Sequence, residues 1–327
     1  MSQTFVIIGA GHAAGQLAAS LRSEGFEGRI LVIGEEPYIP YQRPPLSKKY
    51  LAGELALERV YFKPQMFYDK QNVEFMLNTR VSAIDPKSKT ISLDSGDSLS
   101  YDKLALTTGS RVRQLTNLPG VDLKNVFYLR TIEDVDAIQN CFTQGGKLIV
   151  VGGGYIGLEV AAVAVKRGIE TTVLEMDERV MSRVVAPEMS AFYTRIHTEE
   201  GVNVRTGVRV TGFEGDGQLE AAVCSDGQRF DANFAIIGVG IIPNSELAAE
   251  AGLEVDNGIV VDEYAQTSDP DIVAAGDCTN HPNGILERRI RLESVQNALD
   301  QAKVAAAAMC NKRSNPIFVA QHIGSMV

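Results

Sequence analysis

The stretch from Lys147 to Asp177, KLIVVGGGYIGLEVAAVAVKRGIETTVLEMD, decides the fold of this chain. Its pattern predicts a buried strand, a glycine turn, a helix, a second strand and an acidic residue, in that order, at Leu148–Val151, Gly152–Gly157, Leu158–Arg167, Thr171–Leu174 and Glu175. Apolar strands that alternate with an apolar helix indicate a βαβ unit with parallel strands. The stretch therefore predicts an α/β fold of the dinucleotide-binding type.

Each glycine of this turn has its own physical purpose. Gly152 permits the tight turn, Gly154 lets the backbone approach a pyrophosphate, and Gly157 allows the helix to pack closely on the strand. Free N–H groups and the helix dipole favour an anion at the helix N-terminus. Glu175, 23 residues after Gly152, is placed to accept hydrogen bonds from a ribose 2′-OH and would repel a 2′-phosphate. We therefore expect NAD rather than NADP at this turn.

The same stretch has one competing interpretation, a membrane span. Residues 148–165 form an almost entirely apolar run of 18 residues, which is close to the length needed to cross a bilayer. Glu159 lies inside this run, and a glutamate in mid-bilayer is costly. Together with the glycines near the start of the run, it favours a globular βαβ unit.

The composition describes an ordinary globular protein. The 327 residues suffice for two domains, and 45% of them are hydrophobic. A formal net charge of −10 argues against a nucleic-acid binder. The four cysteines lie far apart without a C-x-x-C pair and the four histidines form no ligand cluster, so we expect neither a redox disulfide nor a bound metal. Unpaired cysteines, and a start (MSQTFVIIGAGH) without a basic leader, indicate the cytoplasm.

The N-terminus contains a second copy of the pattern. It runs through strand, glycine turn, helix, strand and acid, at Thr4–Ala10, Gly9–Ala14, Ala13–Ser23, Ile30–Ile33 and Glu35. Gly9 and Gly11 take the first two fingerprint positions, and Ala14 takes the third, where the fingerprint allows alanine. Two copies 143 residues apart are far more specific than one. They predict two nucleotide sites in an α/β chain with two Rossmann-like domains.

A proline-rich segment follows the first copy. Four prolines between Glu36 and Lys48 (EPYIPYQRPPLSK) predict a stiff, extended loop. Arg43 and Lys48 are cations on this loop, beside the predicted pyrophosphate site. The alternative is a solvated surface loop with ordinary charges.

These motifs together resemble one family, the flavin-dependent ferredoxin, rubredoxin and putidaredoxin reductases of bacterial oxygenase systems, which are relatives of apoptosis-inducing factor. The resemblance covers residues 4 to about 310 and rests on the segments GAGHAAG, YQRPPLSKKYL, LTTGSRVR, VVGGGYIGLEVA, IIGVGIIPN, DPDIVAAGDC and RLESVQNALDQA. It implies the glutathione-reductase-like fold, with FAD on the first fingerprint, NADH on the second, and the NADH domain inserted into the FAD domain.

The resemblance also implies roles for individual residues. Within the FAD site, Val81 would contact adenine through its backbone, Asp277 would hold the ribityl chain, and Val295 would meet the pyrimidine end of the flavin. The implied FAD contacts are Gly9, Gly11, Ala14, Glu35, Arg43, Lys48, Val81, Thr108, Gly109, Arg130, Asp277 and Val295. The implied NADH contacts are Gly152, Gly154, Tyr155, Ile156, Glu159, Glu175, Arg183 and Gly240. Lys48 and Glu159 would form the catalytic pair beside the flavin ring.

The resemblance implies four segments. We expect an FAD domain over 1–112 and 241–310, an NADH domain over 113–240, and a tail of unclear structure over 311–327. The family continues with a third domain introduced by a tryptophan-rich segment. This sequence contains no tryptophan and ends at Val327, so we expect that domain to be missing.

The implied reaction is hydride transfer from NADH to N5 of the flavin, followed by single-electron transfer to a [2Fe–2S] ferredoxin or a rubredoxin. We expect Lys48 and Glu159 to form a poorly solvated ion pair whose disruption costs about 3–5 kcal/mol. The alternative for Glu159 is a helix residue that touches only solvent. Arginines 288, 289 and 291, with Lys312 and Arg313, form a candidate docking patch for an acidic partner, although a solvated face is the plain alternative.

The sequence argues against two other functions and leaves a third as an alternative. Disulfide reductases are excluded because a C-x-x-C pair is missing, and flavin NADH oxidases are disfavoured because Ser47 and its neighbours supply no redox cysteine. A module that binds FAD and NADH without productive electron transfer to a partner remains as the alternative function. In either case we expect a monomer or weak dimer that binds neither nucleic acid nor membrane.

Overall fold

The computed structural model describes residues 3–312 and 316–317. By its internal contacts the chain divides into two compact units. The first contains the residues up to 42, residues 61–111 and the residues from 243 onward, and the second contains residues 43–60 and 112–242. Most of the predicted tail, including Arg313, lies outside the described residues.

The partition differs from the predicted one in residues 43–60, which were expected to belong with the first nucleotide fold. The structure joins them to the second unit because the backbone and side chains of this segment bond to a helix there. The Tyr50 hydroxyl donates to Asp136 Oδ1 at 2.8 Å, and Gln139 Nε2 donates to the Tyr50 carbonyl at 2.6 Å. Which nucleotide each unit binds stays a prediction.

Between residues 3 and 112, the strands follow the apolar runs of the sequence. The elements are β1 (Thr4–Ile8), α1 (His12–Ser23), β2 (Arg29–Ile33), α2 (Gln65–Lys70), β3 (Val73–Met76), β4 (Val81–Asp85), β5 (Thr90–Leu93), β6 (Ser98–Ser100), β7 (Lys103–Leu106) and β8 (Ser110–Val112). Strands β3 and β4 are separate because Asn78 takes a positive φ of 50° after β3 ends. Pro44–Ser47 and Leu57–Arg59 form short 3-10 turns.

The second unit holds the stretch that decides the fold. Its elements are β9 (Val126–Tyr128), α3 (Ile132–Gln139), β10 (Lys147–Val151), α4 (Tyr155–Lys166), β11 (Glu170–Leu174), α5 (Pro187–Glu199), β12 (Asn203–Arg205), β13 (Val210–Glu214), β14 (Ala221–Cys224), β15 (Arg229–Asp231), β16 (Phe234–Ile237) and β17 (Ile241–Pro243). The apolar run 148–165 is therefore a strand followed by most of a helix. Within the described part of the chain, no helix is long and apolar enough to cross a membrane.

From residue 243 onward the chain completes the first unit. The elements are α6 (Glu246–Glu250), β18 (Ile259–Val260), β19 (Ile272–Ala274), β20 (Thr279–Asn283), β21 (Arg288–Ile290) and α7 (Val295–Met309). The alanines of α7 let it pack closely on α1, so Ala302 and Ala305 share one core with Leu17 and Leu21.

Each unit is built on a five-stranded parallel sheet. The strand order is β19-β7-β1-β2-β3 in the first unit and β12-β11-β10-β16-β9 in the second. Antiparallel three-stranded sheets accompany them, β4-β5-β6 in the first unit and β13-β14-β15 in the second. In both units the order reverses beside the strand that precedes the glycine turn, and ligands of open α/β sheets bind at such a switch point.

Candidate functional site

The glycine turn of the first unit is shaped for an anion. Gly9 has a φ of 103°, and a Cβ built there would lie 2.3 Å from the Thr107 carbonyl oxygen, so only glycine fits. Gly11 caps α1 and offers no side chain to accept from the first helical amides. A Cβ added at Gly11 would meet no described atom within 4 Å. Ala14 is fully buried beneath the turn. Open space in front of uncapped helix amides is the cradle that a pyrophosphate needs.

The glycine turn of the second unit repeats this geometry. Gly152 has a φ of 106°, and a Cβ there would lie 2.5 Å from the Gly238 carbonyl oxygen. Gly154 caps α4 and faces open space within the described part of the chain. A Cβ at Gly157 would lie 2.1 Å from the Gly152 carbonyl oxygen, which explains the close packing of helix on turn. Tyr155 and Ile156 are the first helical residues, and Ile156 is 37% exposed.

Glu175 lies against this second turn. Its Oε2 accepts from the Gly153 amide at 2.6 Å, and its Oε1 accepts from the Asp177 amide at 2.8 Å. Two backbone donors hold the half-buried carboxylate at the end of β11, where a dinucleotide ribose is bound in this fold. The structure thus supplies the geometry that the prediction of NAD over NADP requires.

Glu35 lies one residue further along the chain than Glu175 does relative to the paired strands, and its predicted role at the FAD ribose stays a prediction. Ile8 pairs with Ile33 as Val151 pairs with Leu174, so the counterpart of Glu175 is Gly34. A Cβ at Gly34 would lie 2.6 Å from the Ala10 Cβ, which leaves no room for an acid there. The Glu35 side chain is 68% exposed and lies 3.7 Å from Arg80 Nε.

The other predicted FAD contacts of the first unit gather near the carboxyl ends of neighbouring strands. Thr108 and Gly109 follow β7, Asp277 follows β19, and Val295 begins α7. Val81 is the exception, since it begins the antiparallel strand β4 and is buried. Because the carboxyl ends of parallel strands meet at one edge of a sheet, the contacts after β7 and β19 lie beside the first glycine turn.

Sequence reasoning missed the residues that fix these contacts. Asn244 bonds to both residues of the Thr108–Gly109 segment. Its side-chain Nδ2 donates to the Thr108 carbonyl at 2.9 Å, and its backbone amide donates to the Gly109 carbonyl at 2.9 Å. Ser110 donates to Asp277 Oδ2 at 3.1 Å. The buried Gln301 accepts from the Gly276 amide at 2.7 Å. Asn244 and Gln301 lie in the quoted segments IIGVGIIPN and RLESVQNALDQA, which was the only available signal.

The structure brings two further predicted residues, Arg43 and Arg130, together in the second unit. Arg43 donates to the Arg130 carbonyl oxygen at 2.5 Å, and the Arg130 amide donates to Asp134 Oδ2 at 2.9 Å. Asp134 also completes a capping box with Thr131 at the start of α3. The Arg43 side chain is therefore anchored just before α3, and Gln139 of α3 donates to the backbone carbonyls of residues 50 and 51.

Lys48 and Glu159 form the predicted ion pair inside the second unit, with Lys48 Nζ 2.7 Å from Glu159 Oε2. The Ser47 hydroxyl donates to the same Oε2 at 2.5 Å, and Ser47 is buried. Glu159 therefore does not touch only solvent. The Lys48 side chain is 44% exposed against 20% for Glu159. An exposed pair of this kind contributes about 1 kcal/mol to stability, and the expected poor solvation of the pair beside a bound flavin stays a prediction.

The last two predicted NADH contacts lie on loops at the carboxyl edge of the second parallel sheet. Arg183 is exposed on the segment between β11 and α5. Gly240 follows β16 with a φ of 104°, and its carbonyl accepts from the Arg113 amide at 2.9 Å. Both positions have the exposure that a ligand contact needs.

The candidate docking patch is not one free positive surface. Arg289 donates to the carbonyls of Val261 and Asn280 at 2.5 Å each. Arg291 pairs with Glu293, and Lys312 pairs with Glu24. Arg288 is exposed, and Arg313 lies outside the described residues. Arg291 and Lys312 are therefore paired with carboxylates of this chain, and Arg289 is bonded to its backbone.

The cysteines do not suit thiol chemistry. Cys141, Cys224, Cys278 and Cys310 are free. Burial raises the pKa of each thiol, most completely at Cys278. A raised pKa leaves little reactive thiolate at neutral pH.

Comparison with known proteins agrees with this geometry. Residues 3–302 match the family described as "Pyridine nucleotide-disulphide oxidoreductase". The chain belongs to this family. The putidaredoxin reductase of Pseudomonas putida is 46% identical over 312 residues, which cover 94% of this chain and 74% of that protein. The rhodocoxin reductase of Rhodococcus erythropolis is 42% identical over 308 residues, which cover 94% and 72%.

A solved structure matches as closely. The covalent putidaredoxin reductase–putidaredoxin complex superposes with a TM-score of 0.92 and 45% identity, over 95% of this chain and 76% of that one. Family membership confirms the predicted resemblance, the α/β fold class and the expected pair of cofactors, FAD and NADH. The family name refers to disulfides, and all four cysteines of this chain are free in the structure.

Proposed function

We propose that the chain is a cytoplasmic NADH-dependent reductase that carries FAD and passes electrons to a [2Fe–2S] ferredoxin or a rubredoxin of an oxygenase system. One observation carries the proposal: each unit presents an uncapped helix and an open glycine behind a positive-φ glycine turn. Two pyrophosphate cradles in one chain fit two dinucleotides. The similarity to a putidaredoxin reductase supports the choice of an iron–sulfur partner.

The residues divide between the two cofactors. In the first unit, Gly9 and Gly11 would take the FAD pyrophosphate, with Thr108, Gly109 and Asp277 along the rest of the molecule. In the second unit, Gly152 and Gly154 would take the NADH pyrophosphate and Glu175 the adenosine ribose. The carboxylate of Glu175 selects NADH because a 2′-phosphate there would place two negative charges in contact.

The residues of the first unit would hold FAD, which would supply hydride acceptance from NADH and single-electron release to an iron–sulfur partner. The contribution of this chain is to position the reactants. We assign Lys48 to orienting the reacting rings through its ammonium group. Glu159 holds that ammonium in place, and Ser47 fixes the carboxylate by donating to the oxygen that Lys48 contacts. Holding reactants in register supplies a large part of the rate in such reactions.

The visible spectrum of the purified chain tests the proposal. We expect a yellow protein whose flavin absorbance bleaches on anaerobic addition of NADH, and much more slowly with NADPH. Addition of an oxidised [2Fe–2S] ferredoxin should then restore the colour. Bleaching that no iron–sulfur protein reverses would favour the alternative, a module that binds FAD and NADH without delivering electrons. A colourless protein that cannot be reconstituted with FAD would contradict both functions.

A further inference from the structure

The loop after β11 is held by the hydrogen bonds of one arginine, Arg179, which has no role in the proposed function. We call residues 176–186 the nucleotide loop. It starts beside Glu175 at the carboxyl edge of the sheet, which is the edge where dinucleotides bind. An acid at the end of this strand marks the adenosine ribose, so the nucleotide loop borders the adenosine end of the cofactor. Arg183 is exposed on it.

Arg179 binds the loop on both sides of Arg183. Its Nη2 donates to the Ser182 carbonyl at 2.8 Å, and its Nη1 donates to the Val185 carbonyl at 2.9 Å. The same Nη1 donates to Ser190 Oγ on α5 at 2.6 Å. A planar guanidinium fixes several acceptors at once in a way that an ammonium cannot. The backbone around Arg183 is therefore tied to α5 through Arg179.

The loop is also tied to the second glycine turn. The Met181 amide donates to the Gly153 carbonyl at 2.9 Å, next to the amide that Glu175 accepts. Met181 has a φ of 53°, which a side chain such as methionine adopts rarely. Such a conformation persists where surrounding bonds over-determine it. Ser190 supplies one of these, since its hydroxyl donates to the Val180 carbonyl at 2.7 Å.

We infer that Arg179 is a positioning residue for the adenosine half of NADH. It keeps the nucleotide loop in the conformation that presents Arg183 and closes on the second glycine turn. The inference rests on the proposed function, since it assumes that the second turn binds NADH. It assigns Arg179 no part in hydride transfer, so its effect is confined to ligands that carry the adenosine half.

Arg195 offers a matched control. It lies on α5, and it lines the same cavity of about 390 Å³ as Arg179, together with Ser190, Thr194 and Thr206. Its guanidinium bonds to Glu199, one turn along the helix, at 3.0 Å. Loss of Arg195 therefore removes the same charge from the same cavity while the hydrogen bonds of the nucleotide loop stay intact.

The test compares two nicotinamide donors on the full-length, FAD-containing chain. Oxidation of NADH and of reduced nicotinamide mononucleotide, which lacks the adenosine half, is followed with ferricyanide as acceptor. We expect Arg179→Gln to raise the KM for NADH about tenfold with kcat within about twofold, and to leave kcat/KM for the mononucleotide unchanged. The inhibition constant of ADP-ribose should rise by the same factor. Arg195→Gln should change none of these values.

Two results would overturn the inference: a KM for NADH in Arg179→Gln within twofold of the parent, or an equal loss of activity with both donors. If Arg179→Gln does not fold, Arg179→Lys decides, because lysine keeps the charge and loses the fork; an unchanged KM for NADH in that variant overturns the inference equally. A parent chain that binds FAD but never oxidises NADH overturns the proposed function, and this inference with it.

Discussion

The two glycine turns have the same backbone and different side chains. At Gly9 and Gly152 the φ angles are 103° and 106°, and each amide donates at 2.8 Å to the last carbonyl of the neighbouring strand. The two positions that face each other beside this shared backbone carry different residues in the two units. Ala10 faces Gly34 in the first unit, whereas Gly153 faces Glu175 in the second. Between the turn and the end of the neighbouring strand there is space for one side chain. In the first unit the turn supplies it, as Ala10, and in the second unit the residue after the strand supplies it, as Glu175.

The helices that follow the turns differ in the same way. Glu159 of α4 and Gln16 of α1 each lie five residues after the capping glycine. Gln16 donates to Ser20 of its own helix at 2.9 Å. Glu159 instead contacts Ser47 and Lys48, more than 100 residues away in the sequence. In the proposed function the backbone binds a pyrophosphate in both units, and the side chains around the second turn add the selection of NADH and the contact to Lys48.

The largest expected effect separates the two turns. Gly152→Ala puts a Cβ about 2.5 Å from the Gly238 carbonyl, so we expect flavin reduction by NADH to fall about 100-fold while the protein stays yellow. Gly9→Ala makes the corresponding clash with the Thr107 carbonyl and should yield protein depleted of flavin. Flavin content and the anaerobic reduction rate measure the two outcomes. Loss of flavin from Gly152→Ala would contradict the division of cofactors between the units.

The next effect concerns the acids. Glu175→Ala removes the carboxylate and leaves the Gly153 and Asp177 amides as donors for a 2′-phosphate, so we expect the preference for NADH over NADPH to fall about 30-fold. Glu35→Ala is the matched control, because Glu35 is exposed and offset by one residue. The ratio of kcat/KM for the two donors is the measurement. An equal change of that ratio in both variants would refute the distinction between the acids.

The third effect concerns the helices. Glu159→Gln removes the charge that holds the Lys48 ammonium, and we expect the rate of flavin reduction to fall about tenfold, or ~1.4 kcal/mol. Gln16→Ala, at the corresponding position of α1, should leave the rate unchanged. Stopped-flow reduction at saturating NADH gives both rates. A rate in Glu159→Gln equal to that of the parent would remove the pair from the mechanism.

A feature could be predicted from the sequence when the residues that determine it lie close together along the chain. Both glycine turns are defined within about 30 residues by backbone requirements that leave glycine as the only choice, so pattern and spacing suffice. Contacts such as Ser47 with Glu159 or Tyr50 with Asp136 join segments that the pattern does not connect. For the same reason the pattern does not show that residues 43–60 contact the second unit. The pattern also does not show that the register counterpart of Glu175 is Gly34, because that position is decided by the neighbouring Ala10.

The smallest effect tests the exchange of side chains itself. A Cβ at Gly153 would lie 2.9 Å from Val180 Cγ1 and 3.2 Å from Glu175 Oε2. These are side-chain atoms that can shift, so we expect Gly153→Ala to raise the KM for NADH only about threefold. Ala10→Gly creates space beside Gly34 and should keep its flavin, with a loss of about 0.5–1 kcal/mol in the free energy of unfolding. If Gly153→Ala binds NADH as the parent does, Glu175 tolerates a displaced neighbour, and the space at this point does not determine which unit carries the acid.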